Sequence, residues 1–335
     1  MKLTTNNEVY LLMRSTTPSA ALGALIETGL LWQLEEKPLS APEIIQSLNI
    51  SGKRGYYWLQ LLDMMGILDN GPNGYVPSDL VREAILNTRS KESWQHLALD
   101  ERGRTSGVQN LPLYISEPGS IWAAQGMPEP KSYVDEMRAS LTRAREFTRM
   151  LFEVHQELAK GVAELVDTGD ARRMMDVGGG SGVVSMALMR ANPLLTSTVV
   201  DIDNVCVAGR EIAEEEGLSD RITYQPVNII RDELPTGFDM ILQCDVSLFG
   251  LELLKKYYRS LNPGGRLVFV GHLSPTEYSA PLTRVEWTFI DSLREPDFGY
   301  PTLTELKTQL VETGFEILPG HHTIGSGWIV LQARR

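Results

Sequence analysis

The stretch Met174-Met175-Asp176-Val177-Gly178-Gly179-Gly180-Ser181-Gly182 runs apolar residues into an acidic position and then into a cluster of glycines. A helix-like stretch, Val183 to Arg190, follows, and then a second apolar run, Thr198-Val199-Val200, that ends in Asp201. Strand, tight turn, helix, strand, acid is the order in which a doubly wound sheet holds a nucleoside-bearing cofactor. Glycines fall at 178, 180 and 182, while position 183, where a dinucleotide fold wants its third glycine, is valine. The Gly-Lys-Ser/Thr of a phosphate loop is missing as well. A glycine turn without a pyrophosphate grip, plus an acid 19 residues beyond Gly182, suits a nucleoside cofactor without phosphates. S-adenosyl-L-methionine fits best.

Downstream of this unit, strands are expected at about 221–226, 238–243, 266–271, 314–318 and 327–333, joining those at 173–177 and 197–201. Helical segments separate most of them, which makes a mostly parallel, Rossmann-like seven-stranded α/β sheet. The last two strands form an antiparallel edge pair, with His321 to Ser326 between them as a surface loop. Asn262-Pro263-Gly264-Gly265 is a turn feeding the strand that starts near Leu267. Upstream, residues 18–34 carry Ala21, Leu22, Leu25, Ile26, Leu30 and Leu31 at helical spacing. Ser40-Ala41-Pro42-Glu43 reads as a cap opening a second helix, and 53–65 as a third. Two short strands around Gly71-Pro72-Asn73-Gly74 complete a winged-helix arrangement. Residues 94–130 read as an irregular connector with short helices, and helical signals return from 133 to 166. The division expected is 1–100 for the winged helix, 101–170 for a helical connector contributing to an acceptor pocket, and 171–335 for the cofactor-binding domain.

Composition narrows the function classes. The 335 residues suffice for about two domains with sizeable cores. No apolar run approaches the roughly 20 residues of a membrane span, and the first residues lack a secretory signal's apolar core. Two cysteines, Cys206 and Cys244, give neither a disulfide framework nor a metal cluster. A reduced, cytoplasmic setting with no membrane partner and no bound metal is the plain expectation. The net charge of −12 argues against a nucleic-acid partner. Within the first 100 residues, 11 acids face 8 lysines and arginines, and the third helix offers only Lys53 and Arg54. Dimerisation or a substrate lid suits that domain better than DNA.

With these residues in place, the chain resembles the class I S-adenosylmethionine-dependent methyltransferases, and within them the small-molecule O-methyltransferases with an N-terminal winged-helix dimerisation domain. The resemblance rests on Asp176-Val177-Gly178-Gly179-Gly180-Ser181-Gly182, on Asp201, on the 262–265 turn and on the domain order. It implies methyl transfer to a small metabolite, in secondary metabolism, by a homodimer joined through the N-terminal domain. It also implies a cofactor site. Gly178 and Gly180 admit the methionyl part, Gly182 belongs to the same cofactor-binding turn, and Asp176 positions the turn or the cofactor's ammonium. Asp201 takes the ribose hydroxyls, Asn228 reads the adenine amine, Ile229 packs on its face, and Gln243 stands at the end of the fourth strand.

One departure concerns the chemistry. Family members carry His-Asp-Trp after the fourth strand, and that histidine deprotonates the acceptor. Here the segment is Gln243-Cys244-Asp245-Val246-Ser247-Leu248-Phe249-Gly250, with no histidine. A phenol with a pKa of about 10 is a poor nucleophile near neutrality, and a positioned base contributes roughly 10²–10⁴-fold. Three outcomes follow. Another residue serves as base, with Asp245 and His272 leading and Glu286 as a second acid. Alternatively the acceptor is nucleophilic enough for alignment alone, which leaves oxygen, nitrogen and carbon acceptors open. Or the fold keeps the cofactor without methyl transfer, as a lyase or cyclase. A ligand-sensing winged-helix regulator is the remaining alternative. Asp245 could also cap the next helix, His272 could fill a strand end, and Trp287 and Phe289 could be core or pocket wall.

Overall fold

A computed structural model describes residues 3–129, 131–274, 282–325 and 327–335, the side chains of 282–284 excepted. Ser326, Pro130, Met1 and Lys2 of the readings above lie outside the described residues. The chain divides into two compact units, Met1–Gln109 and Asn110–Arg335.

The first unit is helical with one hairpin. Its helices are Asn6–Met13, Thr16–Glu27, Leu30–Glu36, Ala41–Ser47, Gly52–Met64, the three-residue turn Asp79–Val81 running into a π-helical turn at Arg82–Leu86, and Lys91–Thr105; the hairpin pairs β1 (Leu68–Gly71) with β2 (Gly74–Pro77). The helix expected over 18–34 is two helices, because Gly29 adopts φ +72°, which ends one and starts the next. The Ser40 cap is as expected, with Glu43 reaching back to the Ser40 amide at 2.8 Å. The irregular connector is corrected at its start. Residues 94–105 continue a regular helix whose Trp94 and Ala98 pack on the unit's core, and tertiary packing there overrides a weak periodic signal.

The second unit opens with the short helices Leu111–Tyr114, Ile121–Ala124 and Tyr133–Ala139, followed by Leu141–Val154 and Gln156–Leu165. Its strands are β3 (Arg173–Val177), β4 (Thr196–Asp201), β5 (Ile222–Pro226), β6 (Phe238–Cys244), β7 (Leu261–Gly271), β8 (Glu316–Ile317), β9 (His322–Ile324) and β10 (Trp328–Arg334). The sheet order is β5-β4-β3-β6-β7-β10-β8, with β9 paired to β10 off that path. Strands β3 to β7 are parallel, and β10 runs antiparallel to both of its neighbours. The expected antiparallel edge is present, with one correction: His322 lies in β9, opposite Val330, rather than in a loop.

Alternation along the strands sorts the core into two layers. Met174, Val199, Met240, Leu242 and Val268 face the helices Gln156–Leu165, Val183–Ala191 and Asp203–Glu215. Met175, Val200, Ile241, Leu267 and Phe269 face Leu251–Ser260 and Leu303–Thr313. Strands covered on both faces read as continuous apolar runs, and these do. The order reverses between β3 and β6. The crevice outside the carboxyl ends of strands at such a reversal is where open α/β sheets bind ligands.

Candidate active site

The turn after β3 is built on three left-handed glycines, with φ of +65° at Gly178, +56° at Gly180 and +75° at Gly182. They face different surroundings. A Cβ at Gly178 would lie 2.7 Å from Val246 Cγ2, and one at Gly182 would lie 2.8 Å from both Ile222 Cδ1 and Tyr224 Oη. Only at Gly180 would it enter open space.

Two buried carboxylates hold this turn. Asp201, ending β4, accepts from the Gly180 amide at 2.9 Å and from the Ile202 amide at 2.7 Å; each oxygen keeps another lone pair. Burial raises its pKa to about 6. Asp176 is fully enclosed, and its Oδ2 accepts from Ser185 Oγ at 2.6 Å. Its Oδ1 has no partner among the described residues, and burial pushes its pKa up to about 7. Tyr133, not singled out from the sequence, stands near Asp201. The residue as a whole stays 40% exposed, and desolvation of its phenol first and that carboxylate second hold the phenol above the ordinary range.

Asn228 spends its carbonyl oxygen locally, accepting from the amides of Ile230 at 3.1 Å and Arg231 at 3.2 Å. Ile229 lies beside the turn, its Cδ1 3.6 Å from a Cβ built on Gly178. Lys256 Nζ secures this loop by donating to the carbonyls of Ile229, Ile230 and Asp232 at 3.0, 2.9 and 2.6 Å. Gln243 is buried and donates to the carbonyls of Val246 at 3.3 Å and Leu248 at 3.1 Å. It thus fixes the segment after β6.

That segment holds Asp245 at φ +55°, a conformation acidic and amide side chains tolerate better than most. Asp245 does not cap the following helix, whose cap position is Gly250. Instead it faces His155, with 3.7 Å between its Oδ2 and the imidazole Nε2. His155 sits where Leu141–Val154 gives way to Gln156–Leu165 and is largely enclosed. Burial lowers its pKa to about 4, so the ring is neutral. Trp328, opening β10, meets His155 edge-on at 6.0 Å between ring centres and His272 at 4.0 Å. Asp245, His272 and Trp328 therefore share one end of adjacent strands, beside the glycine turn. His155 escaped sequence reading because 90 residues separate it from Asp245. Glu286 is exposed on Leu282–Arg294 and makes no hydrogen bond or ion pair among the described residues; Trp287 and Phe289 are 46% and 42% exposed, so the core reading fails for them.

A profile of the O-methyltransferase domain matches residues 121–294. The chain belongs to this family of S-adenosylmethionine-dependent methyltransferases. It is 32% identical over 281 residues to L-tyrosine C(3)-methyltransferase from Streptomyces lavendulae, covering 78% of this chain and 73% of that one. Against 3-hydroxy-5-methyl-1-naphthoate 3-O-methyltransferase from Streptomyces sahachiroi it is 28% identical over 230 residues, which span 66% of this chain and 62% of the relative's length. The fold superposes on human N-acetylserotonin methyltransferase, solved with S-adenosylmethionine, at a TM-score of 0.78, with 20% identity over 100% of this chain and 99% of that one.

The residues of this site fit that cofactor. An orphaned, buried carboxylate oxygen at Asp176 suits a cation, and the bare Gly180 leaves space beside Asp201. No helix among the described residues is long and apolar enough to cross a membrane.

Proposed function

We propose that this protein transfers a methyl group from S-adenosylmethionine to a small hydroxylated aromatic metabolite, at oxygen or at the adjacent ring carbon, as a cytoplasmic tailoring step in secondary metabolism. The observation that carries the reading is the pair of buried carboxylates, Asp176 and Asp201, on a glycine turn whose Gly180 opens into free space. Two acids there would repel a pyrophosphate and favour a ligand with a cation at one end and sugar hydroxyls at the other. Bound there, S-adenosylmethionine supplies an electrophilic methyl group. Asp201 would take the ribose hydroxyls, and Asp176 the ammonium, directly or through water. The loop fixed by Gln243 would set the distance between acceptor and methyl, and alignment of this kind is worth several kcal/mol. Both Streptomyces relatives act, by name, on rings that bear a hydroxyl, one at oxygen and one at carbon. That supports the acceptor class.

The N-terminal unit would serve dimerisation. Helix Asn6–Met13 exposes Val9, Tyr10, Leu11, Leu12 and Met13, each by 48–80%, an apolar display with the character of an interface. Calorimetry tests the cofactor reading: S-adenosylmethionine should bind and ATP should not. Absence of heat at millimolar S-adenosylmethionine would defeat it.

A further inference from the structure

We infer that His155 is the general base of this enzyme, with Asp245 as the residue that positions it. The inference rests on the proposed transfer to a hydroxylated ring. The place where family members keep their base offers none here: Cys244 ends β6 as a thiol pushed well above its ordinary range by burial, with Asp245 and Asp176 adding to the effect. Two loops converge at the same edge of the sheet. The β6 loop carries Asp245, and Val246 beside it presses on Gly178 of the cofactor turn. The junction of Leu141–Val154 with Gln156–Leu165 supplies His155, 3.7 Å from Asp245. His272 packs on Trp328, with 4.0 Å between ring centres.

A carboxylate facing Nε2 favours the tautomer with its hydrogen on that nitrogen, which leaves the lone pair on Nδ1. Enclosure keeps the ring neutral before reaction. Once the ring is protonated, Asp245 offsets its new charge, as the acid of a Ser-His-Asp triad does. The step balances. The acceptor's O–H bond breaks and its proton bonds to the imidazole. The oxygen, or the ring carbon conjugated with it, takes the methyl group, and the C–S electron pair stays on sulfur, which leaves as a neutral thioether. Where carbon takes the methyl group, the product is first a ring ketone; its C–H proton passes through water to the ketone oxygen, which restores the aromatic phenol, and the imidazolium releases the one remaining proton to water.

The test uses the full chain, His155→Gln and Asp245→Asn, with S-adenosylmethionine and two probe acceptors, catechol and 4-nitrocatechol. The nitro compound is already ionised near neutrality and needs no base. On catechol, His155→Gln should lose roughly 10²–10⁴-fold in kcat; on 4-nitrocatechol its rate should return toward the wild-type value. Equal losses on both probes, with cofactor binding intact by calorimetry, overturn the assignment. If the wild type methylates neither probe, the acceptor class proposed above fails instead, and the pairing is judged on the protein alone. Proton NMR of the five histidines identifies His155 by the resonance that His155→Gln removes. Asp245→Asn should lower the titration midpoint of that resonance by at least half a pH unit. An unmoved midpoint refutes the coupling on which the assignment stands.

Discussion

Replacing Asp176 with asparagine should stabilise the protein without ligand while weakening its hold on the cofactor. The carboxyl is fully enclosed, with one oxygen on Ser185 and the other without a partner. Burial raises its pKa from an ordinary 3.8 to about 7. At about 1.4 kcal/mol per pH unit, that is about 4 kcal/mol held against the ionised form. Asp201 contributes to the rise, so substitution at 176 alone should recover about 2–4 kcal/mol. The sign follows from linkage. With the folded pKa above the unfolded one, the native state binds the proton more tightly, so stability is present below pH 4 and is lost as pH rises through 7. Urea denaturation of wild type and Asp176→Asn from pH 4.5 to 8.5 should give curves that nearly meet at the acid end and separate toward pH 8, the variant being the more stable. Groups with lowered pKa, such as Asp239 and Glu305, act equally in both proteins and cancel. Calorimetry should show cofactor affinity falling roughly 10–100-fold, the worth of a hydrogen bond to a charged group. A variant no more stable than wild type at pH 8 would refute the argument that this buried charge opposes folding.

Gly182→Ala places a methyl 2.8 Å from Ile222 Cδ1 and Tyr224 Oη at a left-handed position, and should cost about 2–5 kcal/mol in thermal or chemical unfolding. Lys256→Met removes three donations to the loop at 229–232; the KM for S-adenosylmethionine should rise several-fold while stability falls by about 1 kcal/mol. Light scattering should give twice the chain mass for wild type, and Leu11→Glu with Met13→Glu should shift it toward the monomer; a wild-type monomer would remove the dimerisation reading.

The glycine turn was legible because its chemistry is contiguous. Asp176, the three left-handed glycines and Asp201 lie within one strand-turn-helix-strand unit. Roles that depend on where a side chain spends its hydrogen bonds were not legible. Asn228 and Gln243 carry the right atoms for a ligand, yet the first caps its own turn and the second braces the loop after β6. Gly29 looked like any residue within an apolar periodicity until its backbone turned left-handed. His155 is the clearest case, since only packing of the helix junction against the sheet edge brings it to Asp245.

The indole of Trp328 has two imidazoles as neighbours, at 6.0 and 4.0 Å between ring centres, and a protonated imidazole quenches the emission of an indole beside it. With the chain's other five tryptophans changed to phenylalanine, the fluorescence of this single ring would become an optical gauge of protons arriving at the reaction centre, readable in real time and without any label.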